Sequence, residues 1–146
     1  MILSCPRDAS ELVQGKEQGI EVDRCPGCNG AWYDYDELEA LESTVASDAE
    51  RTGTIAYAKR ESELSCPACA RPMRAFNYRA YNLELDACSE GHGFWLDEGE
   101  SARVREVMRE RVGGLRRAGS AQRAWQRAKG RDGGGVVDQI KGLFRR

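Results

Sequence analysis

A single histidine in a chain of 146 residues leaves few ways to run acid–base chemistry at neutral pH. The chain also lacks a phosphate-binding loop and a nucleophile paired with a base, so an enzyme is not expected. No window of about 18 apolar residues occurs, which argues against a transmembrane helix. The opening Met1-Ile2-Leu3-Ser4-Cys5-Pro6-Arg7-Asp8 has too short an apolar run for a signal peptide. A cytoplasmic location is therefore expected, where thiols stay reduced. With three Phe, three Trp and five Tyr, aromatics are few for one large core.

Six Cys are present. In a reducing compartment they read as metal ligands before they read as disulfides. The net charge of −2 hides an asymmetry. Residues 1–100 hold 9 Lys+Arg and 20 Asp+Glu, a net −11, and residues 101–146 hold 13 and 4, a net +9. An acidic body thus carries a basic tail.

The motifs recur. Cys5-Pro6-Arg7-Asp8 is followed by Gly19 to Leu38, which includes Cys25-Pro26-Gly27-Cys28, Trp32, Asp34 and Glu37. Cys66-Pro67-Ala68-Cys69 is followed by Leu83 to Glu100, which includes Cys88, Gly91-His92-Gly93, Trp95, Asp97 and Glu100. Ile20 and Val22 alternate with acidic residues, as do Leu83 and Leu85, which marks strands. Leu12-Val13 and Phe76-Asn77-Tyr78 are the expected partner strands. Gly15 to Gly19 and Ala80 to Asn82 are the expected turns. Each copy reads as a short hairpin with a cysteine-bearing turn at each end.

A helix should follow each Trp, because Asp34/Glu37 and Asp97/Glu100 have capping-box spacing. Leu38, Leu41 and Val45 form the stripe of the first helix. Val104, Val107, Met108 and Val112 form that of the second, with Leu115 at its end and Gly113-Gly114 as its weak point. Ser43 to Leu64 reads as a polar connector. Gly130 to Gly135 reads as a flexible linker, and 136–146 as a short amphipathic helix.

Every Cys and the one His fall inside the repeated motifs. Zinc takes four ligands tetrahedrally and favours thiolate and imidazole. Cys66, Cys69, Cys88 and His92 make one complete set. His92 follows the position equivalent to Cys28 by one residue, and the longer imidazole spans that shift; the alternative is a surface histidine. Cys5, Cys25 and Cys28 begin the other set. Asp8 stands where its fourth Cys would be, either as a carboxylate ligand or facing solvent while water completes the shell. Two zinc ions per chain are expected. Modules of about forty residues seldom build a sufficient core without metal. Trp32 and Trp95 are expected to pack over the hairpins rather than stack on bases.

At these residues the sequence resembles a bacterial family of small proteins with a zinc finger like that of transcription factor IIB. Cys25 through Leu38 carry the closest match. The second copy matches at Cys66, Cys69, Cys88, Gly93, Trp95, Asp97 and Glu100, and departs at Gly91-His92 and at Ser101. The first copy departs at Asp8. The resemblance covers 5–42 and 66–101. It implies zinc-ribbon folds and zinc binding, and a transcription role by name only.

The expected fold is a small metal-stabilised α+β chain of two tandem zinc ribbons, each a β-hairpin followed by a helix, with a basic, partly helical C-terminal tail. The expected division is 1–47 for the first ribbon and helix, 48–63 for a linker, 64–118 for the second ribbon and long helix, and 119–146 for the tail. The leading functional reading is a non-enzymatic interaction or adaptor protein. Its protein partner would be met by Val136, Val137, Ile140, Leu143 and Phe144. Alternatives are nucleic-acid binding in transcription, through Arg116, Arg117, Arg123, Arg127, Lys129 and Arg131 with Trp125 stacking, peripheral contact with a membrane, and a zinc–thiolate redox sensor.

Overall fold

A computed structural model describes residues 2–131. The apolar tail residues Val136, Val137, Ile140, Leu143 and Phe144 lie outside the described residues. Among those described, no helix is long and apolar enough to cross a membrane. The chain divides into two units between Glu110 and Arg111.

The first unit is built on one antiparallel sheet. Strands β1 (Val13–Glu17), β2 (Ile20–Arg24) and β3 (Ala31–Tyr33) form a meander, as do β5 (Pro72–Tyr78), β6 (Glu84–Ala87) and β7 (Phe94–Leu96). Together with β4 (Ala56–Ser65) they order as β1-β2-β3-β7-β6-β5-β4. The expectation of two separate hairpins is therefore corrected. Each half has a third strand, and β3 pairs antiparallel with β7, setting Trp32 opposite Trp95 and Tyr33 opposite Phe94. Seven strands make a single sheet.

Two local expectations also change. The first turn is Gln18-Gly19 alone, both at positive φ, and Gly15 lies within β1, opposite Val22. The polar connector 43–64 holds a one-turn 3-10 helix, Ala49–Arg51, and most of β4. β4 is an edge strand, mostly exposed. It pairs with β5 through two register shifts.

Strand alternation separates the two faces. Trp32, Trp95, Asp86 and Ala75 share one face, because they are successive register partners. On that face Trp32, Trp95, Met73 and Leu64 cluster with buried cysteines. Tyr78, Phe76 and Phe94 take the other face, where α1 (Tyr35–Ser43) lies. Asp34 caps α1. It accepts the Glu37 N–H at 2.7 Å, and Glu37 returns the bond to the Asp34 N–H at 2.9 Å. Leu38 and Leu41 are buried as expected. Ala46, rather than Val45, completes the buried set beyond the helix end.

The second helix, α2, runs Glu100–Arg131 without a break at Gly113-Gly114. In the first unit Val104, Val107 and Met108 are its buried residues, with Ser101. Only half of the expected capping box forms. Glu100 accepts the Asp97 N–H at 2.7 Å. The Asp97 carboxylate accepts instead from Trp95 Nε1 at 2.9 Å and from Arg7 at 2.9 and 2.7 Å.

A buried ion pair ties the halves together on the helical face. Glu42 of α1 bonds Arg79 Nε at 2.9 Å. The two residues are 2% and 4% exposed. Glu42 also accepts from the Tyr78 hydroxyl. The remaining Arg79 donors reach the carbonyls of Arg51 at 2.7 Å and Thr52 at 3.3 Å.

Candidate metal centres

Four cysteine-bearing turns project from the strand ends. In each, the N–H of the first Cys bonds the carbonyl five residues on: Cys5 to Ser10, Cys25 to Gly30, Cys66 to Arg71 and Cys88 to Gly93. Inside three of them the carbonyl of that Cys accepts from the residue four on, which is Ala9, Asn29 or Ala70. These three residues have φ of 63°, 62° and 64°, the left-handed region that closes such a turn. The fourth turn is tighter. Cys88 accepts from Gly91, three residues on, and Gly91 takes the positive φ of 81°.

That difference explains the histidine. The outer span is unchanged, so Trp95 follows Cys88 by the same interval that separates Trp32 from Cys25. Within the span the left-handed position moves one residue toward the N-terminus, to where the other turns carry their second donor. Glycine accepts that conformation without strain, and His92 supplies the donor from the next position.

The structure assembles the donors into two groups. Cys66, Cys69, Cys88 and His92 form one, and Cys5, Asp8, Cys25 and Cys28 the other, and the donor atoms of each lie within 4.8 Å of one another. In the first of these, Cys69 and Cys88 Sγ are 3.7 Å apart, and His92 Nδ1 is 3.3 Å from Cys88 Sγ and 3.9 Å from Cys66 Sγ. In the second, Cys5 and Cys28 Sγ are 3.6 Å apart. Both Asp8 oxygens stand 3.4 Å from Cys25 Sγ. Each group could hold a metal ion.

Asp8 is held in place. Its Oδ1 accepts the Ser10 N–H at 2.9 Å. That bond, with the Ser10 side chain, lowers its pKa to about 2, so the carboxylate is charged at neutral pH. Its Oδ2 lies against Gly27, where a Cβ would collide with it. Glycine between Cys25 and Cys28 thus clears the space that Asp8 uses.

Backbone N–H groups point at the sulfurs: Arg7 at Cys5 and Ala68 at Cys66, both at 3.3 Å, and Cys28 at Cys25 and Glu90 at Cys88, both at 3.4 Å. Such donors favour thiolate. Burial pushes Cys5 and Cys66 up to about 12. Burial also opposes ionisation at Cys25 and Cys88, but the N–H groups and neighbouring side chains outweigh it there. Cys25 is lowered, and Cys88 falls to about 7. Crowded thiols share negative charge unevenly, and a cation bound among them would relieve that.

The two groups share one roof. Trp32 and Trp95 are buried in the cluster that contains Cys5, Cys25, Cys66 and Cys88. A Cβ on Gly30 would strike the Trp95 indole, and one on Gly93 would strike the Trp32 indole and the Tyr33 carbonyl. Each tryptophan therefore covers the turn of the opposite half. The packing expected of both Trp is observed, but across the β3–β7 seam. Sequence reasoning missed Arg7, whose guanidinium leaves the Cys5 turn to grip Asp97 beside Trp95. It also missed the Glu42–Arg79 pair.

A family model described as a transcription factor zinc-finger matches residues 4–44. No curated protein and no solved structure matches the chain. The match takes in Cys5, Asp8, Cys25, Cys28 and α1, so the first donor group lies within the matched segment.

Proposed function

We propose that the chain is a non-enzymatic zinc-binding interaction protein. In this reading two tandem zinc ribbons fuse into one acidic body that carries a basic docking arm. One observation carries the zinc assignment, namely the edge lengths of the two donor groups. With Zn–S near 2.3 Å and Zn–N or Zn–O near 2.0–2.2 Å, a tetrahedral site has S···S edges of about 3.8 Å and S···N or S···O edges of about 3.6 Å. The Cys5–Cys28 and Cys69–Cys88 edges are 3.6 and 3.7 Å, and all donor atoms of each group lie within 4.8 Å of one another. His92 Nδ1 to Cys88 and Cys66 Sγ, at 3.3 and 3.9 Å, brackets the expected value, and Asp8 stands 3.4 Å from Cys25 Sγ.

Cys66, Cys69, Cys88 and His92 would hold one ion, and Cys5, Cys25, Cys28 and Asp8 the other. Bound there, zinc would supply cross-links rather than reactivity, because both sites are four-donor sets with no position left open. Their shared Trp cluster supports a structural role. Such a body is a scaffold, and docking to a protein partner falls to the tail residues Val136, Val137, Ile140, Leu143 and Phe144.

Native mass spectrometry of gently purified full-length protein tests the reading. Two zinc ions are expected, with Asp8→Ala retaining one tightly bound ion and losing the other at low free zinc. No zinc, with paired thiols, would overturn the assignment. Capture of a protein partner should disappear on deleting 136–146. Unchanged capture would remove the tail from the docking role.

A further inference from the structure

From Arg111 to Arg131, α2 contains seven Lys or Arg and no Asp or Glu. Leu115 through Gly130 is exposed apart from the half-buried Gly119. At 100° and 1.5 Å per residue, Arg116, Arg123 and Arg127 fall within an arc of roughly 40° and a length of about 16 Å. Gly119, Ser120 and Ala124 flank that arc, so small side chains border the guanidinium row. Trp125 is 62% exposed and lies on the opposite side of the helix, roughly 160–200° from the three arginines.

The arrangement costs stability in isolation. Arg123 and Arg127 are like charges at i, i+4, and Gly113, Gly114 and Gly119 each weaken a helix interior by roughly 1 kcal/mol. A polyanion along the arginine row would offset the repulsion. A membrane surface fits less well. Such a helix needs a broad apolar face opposite its charges, and here that face is Ala118, Ala121, Gln122, Trp125 and the charged Lys129.

We infer that this arm binds double-stranded DNA through its phosphate backbone, without reading sequence. The inference goes beyond the proposed function, in which 136–146 meets a protein, and gives α2 a partner of its own. The separation of Trp125 from the arginines selects duplex over single strand. A single strand bound by stacking needs aromatic and cationic groups on one surface, and within a turn of Trp125 that side carries one cation, Lys129, against the three-arginine row on the other. The B-form major groove admits an α-helix, and the deep, narrow groove of duplex RNA does not. Residues 1–100, at net −11, repel phosphate and leave the contact to the arm.

The test is fluorescence anisotropy with zinc-loaded full-length protein and a mixed-sequence 20-base-pair DNA duplex. The same single strand and phosphatidylserine vesicles serve as comparison probes, and salt is varied from 50 to 200 mM. The duplex should bind best, with a log–log salt slope near −3 for three phosphate contacts, at about 0.9 per contact. Arg123→Gln with Arg127→Gln should shallow the slope by about 2 and weaken binding roughly tenfold or more. Trp125→Ala should leave duplex affinity unchanged. Both changes are on exposed positions, and unchanged circular dichroism and zinc count verify the fold. The inference is overturned by absent duplex binding, by a preference for single strand that depends on Trp125, by a slope indifferent to the arginine pair, or by vesicles binding in the duplex's place. If the duplex fails while two zinc ions are retained, this inference falls and the zinc reading stands.

Discussion

Replacing Glu42 by Ala should be among the most damaging single changes outside the metal centres. Glu42 and Arg79 are 2% and 4% exposed, so surface screening does little to weaken their pairing. Arg79 cannot shed its proton to escape. Without Glu42 its guanidinium keeps only the carbonyls of Arg51 and Thr52, and the Tyr78 hydroxyl loses its acceptor. Breaking one partner of a buried pair costs about 3–5 kcal/mol. That is a large share of the ~5–15 kcal/mol that keeps a domain folded. Urea unfolding at saturating zinc should show a free-energy loss of this size, read as a lowered midpoint with an unchanged slope. Amide exchange should quicken at 51–55, because Arg79 anchors that segment by donating its guanidinium N–H groups to the Arg51 and Thr52 carbonyls and its backbone N–H to the Ile55 carbonyl. Pairing Glu42→Leu with Arg79→Met should recover most of the loss, since apolar replacement of a whole buried pair is often near neutral. A cost below about 1 kcal/mol for Glu42→Ala would refute the argument, because that is the range of an exposed pair.

Three further outcomes are expected. Ala70→Gly should raise the stability of the zinc-loaded protein by about 1 kcal/mol, read by thermal melting, because Ala70 sits at φ 64° and glycine removes that strain. Burial and the nearby carboxylates of Asp97 and Asp86 raise the Glu100 pKa to about 7, against the pull of Arg7. A carboxyl raised in the folded state stabilises below its unfolded pKa and loses that contribution as pH rises through about 7. Glu100→Gln, which stays neutral, should therefore match wild type near pH 5 and melt higher at pH 8; a difference constant across that range would count against the shift. Gly30→Ala should cost about 1–3 kcal/mol by overpacking, with the Trp95 indole resonance displaced in an NMR spectrum.

The grouping of the Cys, His92 and Asp8 side chains was readable in the sequence because Cys and His are rare, their spacing is fixed by turn geometry, and Asp8 stands at the position of a second Cys. All eight arrive in two groups. The capping box of α1 was readable for a similar reason, since it depends on a local spacing. The sheet was not. β3 and β7 have three residues each, all buried, so neither shows alternation. β4 gave no signal because its residues are mostly exposed on both faces. Gly113-Gly114 suggested a helix end, but Ala, Arg and Gln beyond them favour helix strongly enough to continue it. Glu42 left a faint trace: it follows Leu38 by four residues, on the apolar stripe of α1, a poor place for an unpaired charge. Nothing local pointed to Arg79, whose partner lies 37 residues away.

The two donor groups differ in kind, yet the packing makes each depend on the other. The turn that presents Cys25 and Cys28 ends at Gly30, and Trp95 from the other half covers it. The turn that presents Cys88 and His92 ends at Gly93, and Trp32 covers that in exchange. Arg7 leaves the Cys5 turn to hold Asp97, which in turn holds the Trp95 indole. An ion that orders either turn therefore seats a tryptophan over the other, and linkage makes the effect reciprocal. Zinc added at one equivalent should then give empty and doubly loaded chains at the expense of the singly loaded form, which independent, equal sites would hold at about half of the total. Residues 1–47 alone would lack Trp95, Asp97 and the β7 partner for β3. That fragment should bind zinc more weakly than the whole chain and show poor amide protection around Gly30. Full protection in the isolated fragment would mean that the seam is a contact between two self-sufficient ribbons, and that the crossed tryptophans do not couple their ions.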